Sequence, residues 1–141
     1  MAVQSSASAT WTGDLKGGQG TVRPASGAFP ELELTWAHRA ETRESGTSPE
    51  ELIAAAHAGC FAMALSNGLA GAGKPPEKLE TSASVTFQAG EGITGIHLTV
   101  RGTVPGLDAD GFRVAAEGAK ANCPVSKALA AVPITLDAAL A

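Results

Sequence analysis

The sequence predicts an α+β fold with elements in the order β-β-β-α-β-β-α-α-β, an apolar helix packed on antiparallel sheets. Three observations carry this expectation. Short segments punctuated by Gly and Pro fill residues 9–40. A capped apolar run of helical length extends from Ser48 to Gly73. Later segments alternate between apolar and polar residues. The 141 residues suit one domain, 1–141, with a core of ordinary size.

The elements follow in order. "ATWTGDL" and "GTVRPASG" are short segments broken by turn residues, the pattern of hairpins. "ELELTWA" puts Leu32, Leu34 and Trp36 on one face and Glu31, Glu33 and Thr35 on the other, which predicts a third strand. "HRAETRESGT" is polar and loop-like. Ser48 is a good N-cap, Pro49 suits the first helical position, and Glu51 completes a capping box for the first helix. "GAGKPPEKLE" ends that helix. "LETSASVTFQ" and "GITGIHLTVRGTVP" are the next two strands. In the second, Ile96, Leu98 and Val100 share a face opposite His97, Thr99 and Arg101. "LDADGFRVAAEGAKAN" repeats Phe112, Ala115, Ala116 and Ala119 at helical spacing, and "CPVSKALA" is a short helix from Pro124. "PITLDAAL" closes the chain as a strand. The first 40 residues hold few bulky apolar residues, so this hairpin segment is expected to pack on the partner in a homodimer.

Composition excludes several functions. A chain with 44% hydrophobic and 17% charged residues is globular rather than disordered. A net charge of -4 and 4% aromatics argue against nucleic acid or an anionic membrane as partner. The start, "MAVQSSASATW", has no basic n-region or apolar h-region, which predicts a cytoplasmic location. The run from Leu52 to Ala72 is interrupted by His57, Ser66, Asn67 and glycines, so it reads as a buried core helix. Two cysteines and three histidines show no metal-ligand spacing, and no metal is expected. No phosphate-binding glycine loop or nucleophile elbow is present.

The candidate chemistry centres on Cys60. On a wheel of about 100° per residue, Ile53, Ala56 and Ala64 fall within about 40° of Cys60 and Met63 within about 60°. By the wheel alone, Cys60 is an inert buried cysteine on an apolar stripe. His57, three residues earlier, can neighbour it, either as a Cys–His pair or as a core-edge histidine satisfied by backbone or water. Glu50 lies nearer the Cys60 side than Glu51, but ten helical residues rise about 15 Å, so a long side chain must bridge Glu50 to the thiol. Arg39 and Arg43 lie upstream, and an arginine can grip a carboxylate while serving a second anion. Cys123 sits where a short helix begins, a place that favours a thiolate. Local physics therefore selects Cys123 rather than Cys60 as the low-pKa thiol.

"GTSPEELIAAAHAGCFAMALS" together with "ANCPVSKAL" resembles the OsmC/Ohr family of thiol-dependent hydroperoxide reductases, over nearly the whole chain. "AAHAGC" and "CPVSKAL" are more similar to the osmotically inducible OsmC branch than to the organic-hydroperoxide-resistance Ohr branch. The resemblance implies an OsmC-like fold, an intertwined homodimer and active sites at its interface. It implies that Cys60 is the peroxidatic cysteine, Cys123 the resolving cysteine that forms a disulfide with it, and Glu50 the acid that holds an arginine. Arg39 is the favoured arginine, Arg43 the alternative. His57 acquires no catalytic role from the motif and is expected at the pocket wall with Ile53, Ala56 and Met63. No prosthetic cofactor is implied. The electron donor would be an external dithiol, either a lipoyl-bearing protein or a small thiol, and the role one of oxidative or osmotic stress defence. The competing reading is an apolar small-molecule binding module with incidental cysteines. A Cys60–His57 hydrolase lacks a third, orienting group.

Overall fold

A computed structural model describes residues 1–42 and 45–141, so Arg43 lies outside the described residues. The chain divides into two compact units, residues 1–50 and 51–141.

In the first unit, β1 (Ala7–Thr12), β2 (Gln19–Pro24) and β3 (Leu32–Leu34) form an antiparallel sheet in that order. The third strand is shorter than "ELELTWA" predicts. Leu34 pairs with Gly20, and β2 begins one residue earlier, at Gln19, so Trp36 has no ladder to join. Thr35 instead turns the chain into α1 (Trp36–Ala40), its hydroxyl accepting the His38 N–H at 3.1 Å. The expected loop at "HRA" is therefore helical, and the element order gains a helix: β-β-β-α-α-β-β-α-α-β. Thr47 returns to this sheet through a bridge to Leu34 and an N–H bond to the Glu33 carbonyl.

The long helix α2 (Pro49–Gly71) starts directly after Ser48, as the capping pattern predicts. It ends in a Schellman closure: Gly73 N–H bonds to Ala70 O, and Lys74 N–H to Leu69 O. That closure needs a left-handed residue, and Gly73 has φ +74. By length and composition α2 is apolar enough to cross a membrane. One stripe of it, His57, Phe61, Leu65 and Leu69, is nevertheless buried. The expectation of a buried core helix needs correcting on the other faces, because Ala55, Ala56, Gly59 and Met63 are exposed. The buried stripe centres on Phe61 and Leu65, more than about 100° around the helix from Cys60.

The second sheet joins β4 (Lys78–Gln88), β5 (Gly92–Thr103) and β6 (Ile134–Leu140). β4 and β5 are antiparallel, whereas β6 runs parallel to β5, so the expectation of purely antiparallel sheets does not hold. The connection explains the difference. α3 (Ala109–Asn122) and α4 (Pro124–Ala128) carry the chain from the end of β5 back to its start, and a crossover of this length makes a parallel neighbour. Asp108 caps α3 by accepting the Gly111 N–H at 2.8 Å. Ile96, Leu98 and Val100 of β5 face a core shared with Phe61, Leu65 and Leu69 of α2 and Phe112 and Ala116 of α3. This core fixes α2 and the α3–α4 junction, the two places that carry the cysteines.

Candidate active site

Cys60 comes from the middle of α2. Cys123 is at once the C-cap of α3 and the N-cap of α4. The residue after it explains that position. Pro124 disfavours helical geometry at Cys123, which is extended at φ -56, ψ 128, and Pro124 itself opens α4. The Cys123 N–H still closes α3 on Ala119 O at 2.8 Å. The result brings together two thiols 63 residues apart in sequence: the sulfurs are 2.9 Å from each other, and both cysteines are free. Cys123 is fully buried and Cys60 half-buried.

The two thiols have opposite electrostatics. Burial, followed by the hydrogen bond with Cys123, raises the Cys60 pKa above its ordinary value, and the Val125 amide only partly offsets this. Burial also opposes ionisation of Cys123. There, Cys60, the Ser126 amide and hydroxyl, and the Val125 amide outweigh it, and the pKa falls. The sulfur closes no capping hydrogen bond on α4. The largest lowering influence on Cys123 is thus its hydrogen bond with Cys60 rather than the start of α4.

His57 does not sit at an open wall. It is fully buried, three residues before Cys60 but turned into the core, and its Nε2 lies 2.7 Å from Ser126 Oγ. Burial lowers its pKa. Its Nδ1 has no hydrogen-bond partner among the described residues. Ser126 was not singled out in the sequence. The available signal was its place three residues after an N-cap cysteine, where a side chain reaches back toward the cap.

Arg39 and Glu50 meet within the first unit. α1 places Arg39 in its last turn, and the Thr47 bridge to β3 precedes Glu50 by three residues. Arg39 Nε lies 3.0 and 3.3 Å from the two Glu50 carboxylate oxygens, and Nη2 2.8 Å from Oε1. Glu50 is 2% exposed and Arg39 33%. Glu51, by contrast, is exposed. Arg39 also lines a cavity of about 290 Å³ with Trp11, Leu15, Leu34 and Trp36, apolar residues the sequence reading did not assign to a site. Of the expected pocket residues, Ile53 is half-buried and Ala56 exposed. Met63 is 75% exposed and lines a separate open groove with Ala62, Ser66 and Leu79. Neither cavity is lined by Cys60.

Comparison with known proteins adds what geometry alone does not. The OsmC-like protein family pattern matches residues 42–137. Peroxiredoxin OsmC of Escherichia coli K12 is 46% identical over 140 residues, covering 97% of this chain and 96% of the relative, and peroxiredoxin OsmC of Shigella flexneri is equally similar. Among solved structures, an organic hydroperoxide resistance protein OsmC from Legionella pneumophila superposes with TM-score 0.71 at 24% identity, covering 99% of each chain. The organic hydroperoxide resistance protein OhrB of Bacillus subtilis gives 0.66 at 23% identity, covering 96% of this chain and 98% of that one. These structural likenesses carry the fold, and the sequence relatives carry the family. The chain belongs to the OsmC-like family and is a thiol-dependent peroxidase.

Proposed function

We propose that this peroxidase reduces organic hydroperoxides, alkyl or fatty-acid, to alcohols through a Cys60 sulfenate and a Cys60–Cys123 disulfide. The observation that carries the reading is the pair of free thiols 2.9 Å apart, one in the middle of α2 and one at the α3–α4 junction. In the first step the Cys60 thiolate attacks the peroxide O–O bond. The S–O bond forms, the O–O bond breaks, and the alkoxide takes a proton to become the alcohol. In the second step Cys123 attacks the sulfenate sulfur, the S–S bond forms and hydroxide leaves. Disulfide formation keeps the sulfenate off the irreversible part of the oxidation ladder. An external dithiol, a lipoyl-bearing protein or a small thiol, reduces the disulfide.

A reversed order, with Cys123 first, has one observation in its favour: its pKa is the lowered one. Exposure supports Cys60 as the first to react. A peroxide must touch the attacking sulfur, and Cys123 is fully buried whereas Cys60 is partly open. The ionisation that Cys60 lacks is assigned to Arg39, whose guanidinium is held edge-on by Glu50 and whose charge favours a nearby thiolate. That assignment belongs to a homodimer with the site completed at its interface. The apolar lining around Arg39 suits an alkyl tail better than a small polar peroxide.

The test titrates the reduced protein with cumene hydroperoxide and, side by side, with hydrogen peroxide while counting free thiols. One equivalent of cumene hydroperoxide is expected to consume both thiols, and hydrogen peroxide to be slower. Cys60→Ser is expected to abolish turnover, and Cys123→Ser to accumulate one sulfenate at Cys60. Survival of both thiols after a stoichiometric dose sinks the reading, and a sulfenate trapped at Cys123 reverses the order.

A further inference from the structure

The two cysteines differ in access. Cys123 is fully buried and Cys60 half-buried. Backbone bonds on both sides hold Cys123 in place. Its N–H closes α3 on the Ala119 carbonyl at 2.8 Å, and its carbonyl accepts the Lys127 N–H of α4 at 3.1 Å. A side-chain bond holds α4 as well, with Ser126 Oγ 2.7 Å from Nε2 of the buried His57 on α2. Bringing the Cys123 sulfur to the surface means breaking these bonds. Assembly does not open it either, because a residue buried in one chain stays buried when a second copy is added.

The oxidised pair keeps this asymmetry. The sulfurs already lie 2.9 Å apart, so bonding them brings them about 1 Å closer and asks little movement of α2 or α4. A disulfide is reduced by a thiolate that attacks one of its two sulfurs in line, opposite the sulfur that leaves, and access decides which one is attacked. Attack on Cys123 needs a path into the core. Attack on Cys60 needs only the opening it already has.

We propose that the external thiol attacks the disulfide at Cys60, so that one sulfur meets first the peroxide and then the reductant, while the buried Cys123 meets neither. The proposal rests on the Cys60–Cys123 disulfide of the reaction given above. The donor's thiolate forms an S–S bond to the Cys60 sulfur, the Cys60–Cys123 bond breaks, and Cys123 leaves with the electron pair as a thiolate. The donor's second thiol gives its proton to solvent and attacks the donor sulfur of the mixed disulfide. The donor closes its own disulfide, and Cys60 leaves as a thiolate. Two electrons have passed from the donor to the cysteine pair. Between the steps the Cys123 thiolate stays beside the adduct and can attack Cys60 again, expelling the donor. A donor with one thiol loses its adduct by this return, whereas the second thiol of a dithiol competes from within the adduct.

The experiment makes the disulfide with diamide, without peroxide, and adds mercaptoethanol as a donor with one thiol. The mixture is quenched in acid over a short time course, denatured, and its free thiols blocked with N-ethylmaleimide. Trypsin separates the two cysteines, because Arg101 and Lys120 lie between them, and mass spectrometry reads which carries the adduct and which the maleimide. At the earliest times the adduct on Cys60 is expected to exceed that on Cys123 about tenfold or more, since reaching Cys123 first breaks two backbone hydrogen bonds. An adduct mainly on Cys123, or an even split, overturns the proposal. Single-cysteine proteins reach the same adducts from the opposite direction, where no return by the other thiol can erase them. Cys123→Ser is expected to take up hydroxyethyl disulfide at Cys60 about tenfold or more faster than Cys60→Ser does at Cys123, and the two rates to converge in urea. Equal native rates, or a difference that persists in urea, also overturn it. A protein in which diamide joins no disulfide loses the cysteine pair itself. A disulfide that diamide forms and peroxide does not defeats the peroxide reading and leaves the donor's choice of sulfur measured.

Discussion

Arg39 and Glu50 show how much of a site depends on single side chains. Glu50 is 2% exposed, so its carboxylate depends on the two-nitrogen grip of Arg39. Removing one member of a buried pair costs about 3–5 kcal/mol, because the other charge is left without compensation. Arg39 remains 33% exposed and water can partly replace it, so Arg39→Ala is expected at the lower end, about 3 kcal/mol, in urea unfolding. Glu50→Gln keeps the shape and loses the anion, and should cost about 1 kcal/mol. Both changes should slow sulfenate formation at Cys60, whereas Arg39→Lys should keep much of the stability and little of the rate, having lost the planar fork. An Arg39→Ala protein with wild-type stability and turnover would remove the pair from the mechanism. His57 offers a different lesson. Its partner Ser126 lies 69 residues away, and no local spacing in "AAHAGC" announces it.

At the scale of elements, packing overrides local pattern in identifiable places. Gly102 on β5 lies against Phe112 of α3: a Cβ there would come within 2.6 Å of the ring and 3.1 Å of Leu79. Gly102→Ala should therefore push α3 away from the sheet and lower stability by about 1–3 kcal/mol, with a matching loss of near-ultraviolet signal. An unchanged unfolding midpoint would show that Phe112 can yield. Many elements were legible because their signals are local. Ser48–Pro49 begins α2, Pro124 begins α4, and alternation marks the Ile96, Leu98, Val100 face. α1 was not legible, because "ELELTWA" alternates smoothly, and what stops the strand is the length of β2, a partner distant in sequence. The parallel placement of β6 was hidden for the same reason: it depends on where α3 and α4 return the chain. The site divides likewise. That Glu50 needs a long partner such as an arginine could be read from the wheel, whereas the wheel placed Cys60 on an apolar stripe and gave no hint of Cys123 beside it.

For the whole molecule, exposed apolar side chains argue for assembly. In the first unit Trp11, Leu15 and Phe29 are 42%, 54% and 39% exposed, and in the second Met63 and Val114 are 75% and 70% exposed. Single exposed apolar residues are ordinary, but α2 adds Ala55, Ala56 and Gly59 around Met63, a helix face that a lone chain leaves wet. The proposed homodimer would cover that face and complete the surroundings of Cys60. Light scattering at micromolar concentration should then report twice the chain mass. Met63→Asp, which places a charge on this face, should shift the protein toward monomer and lower peroxide turnover. In the same variant a mild oxidant such as diamide should still close the Cys60–Cys123 disulfide at the wild-type rate, because both thiols belong to one compact unit. A wild-type monomer with full turnover defeats the interface reading. Loss of disulfide closure in Met63→Asp would instead mean that α2 itself is disturbed, and Met63→Leu, apolar and similar in size, separates that outcome from a genuine loss of assembly.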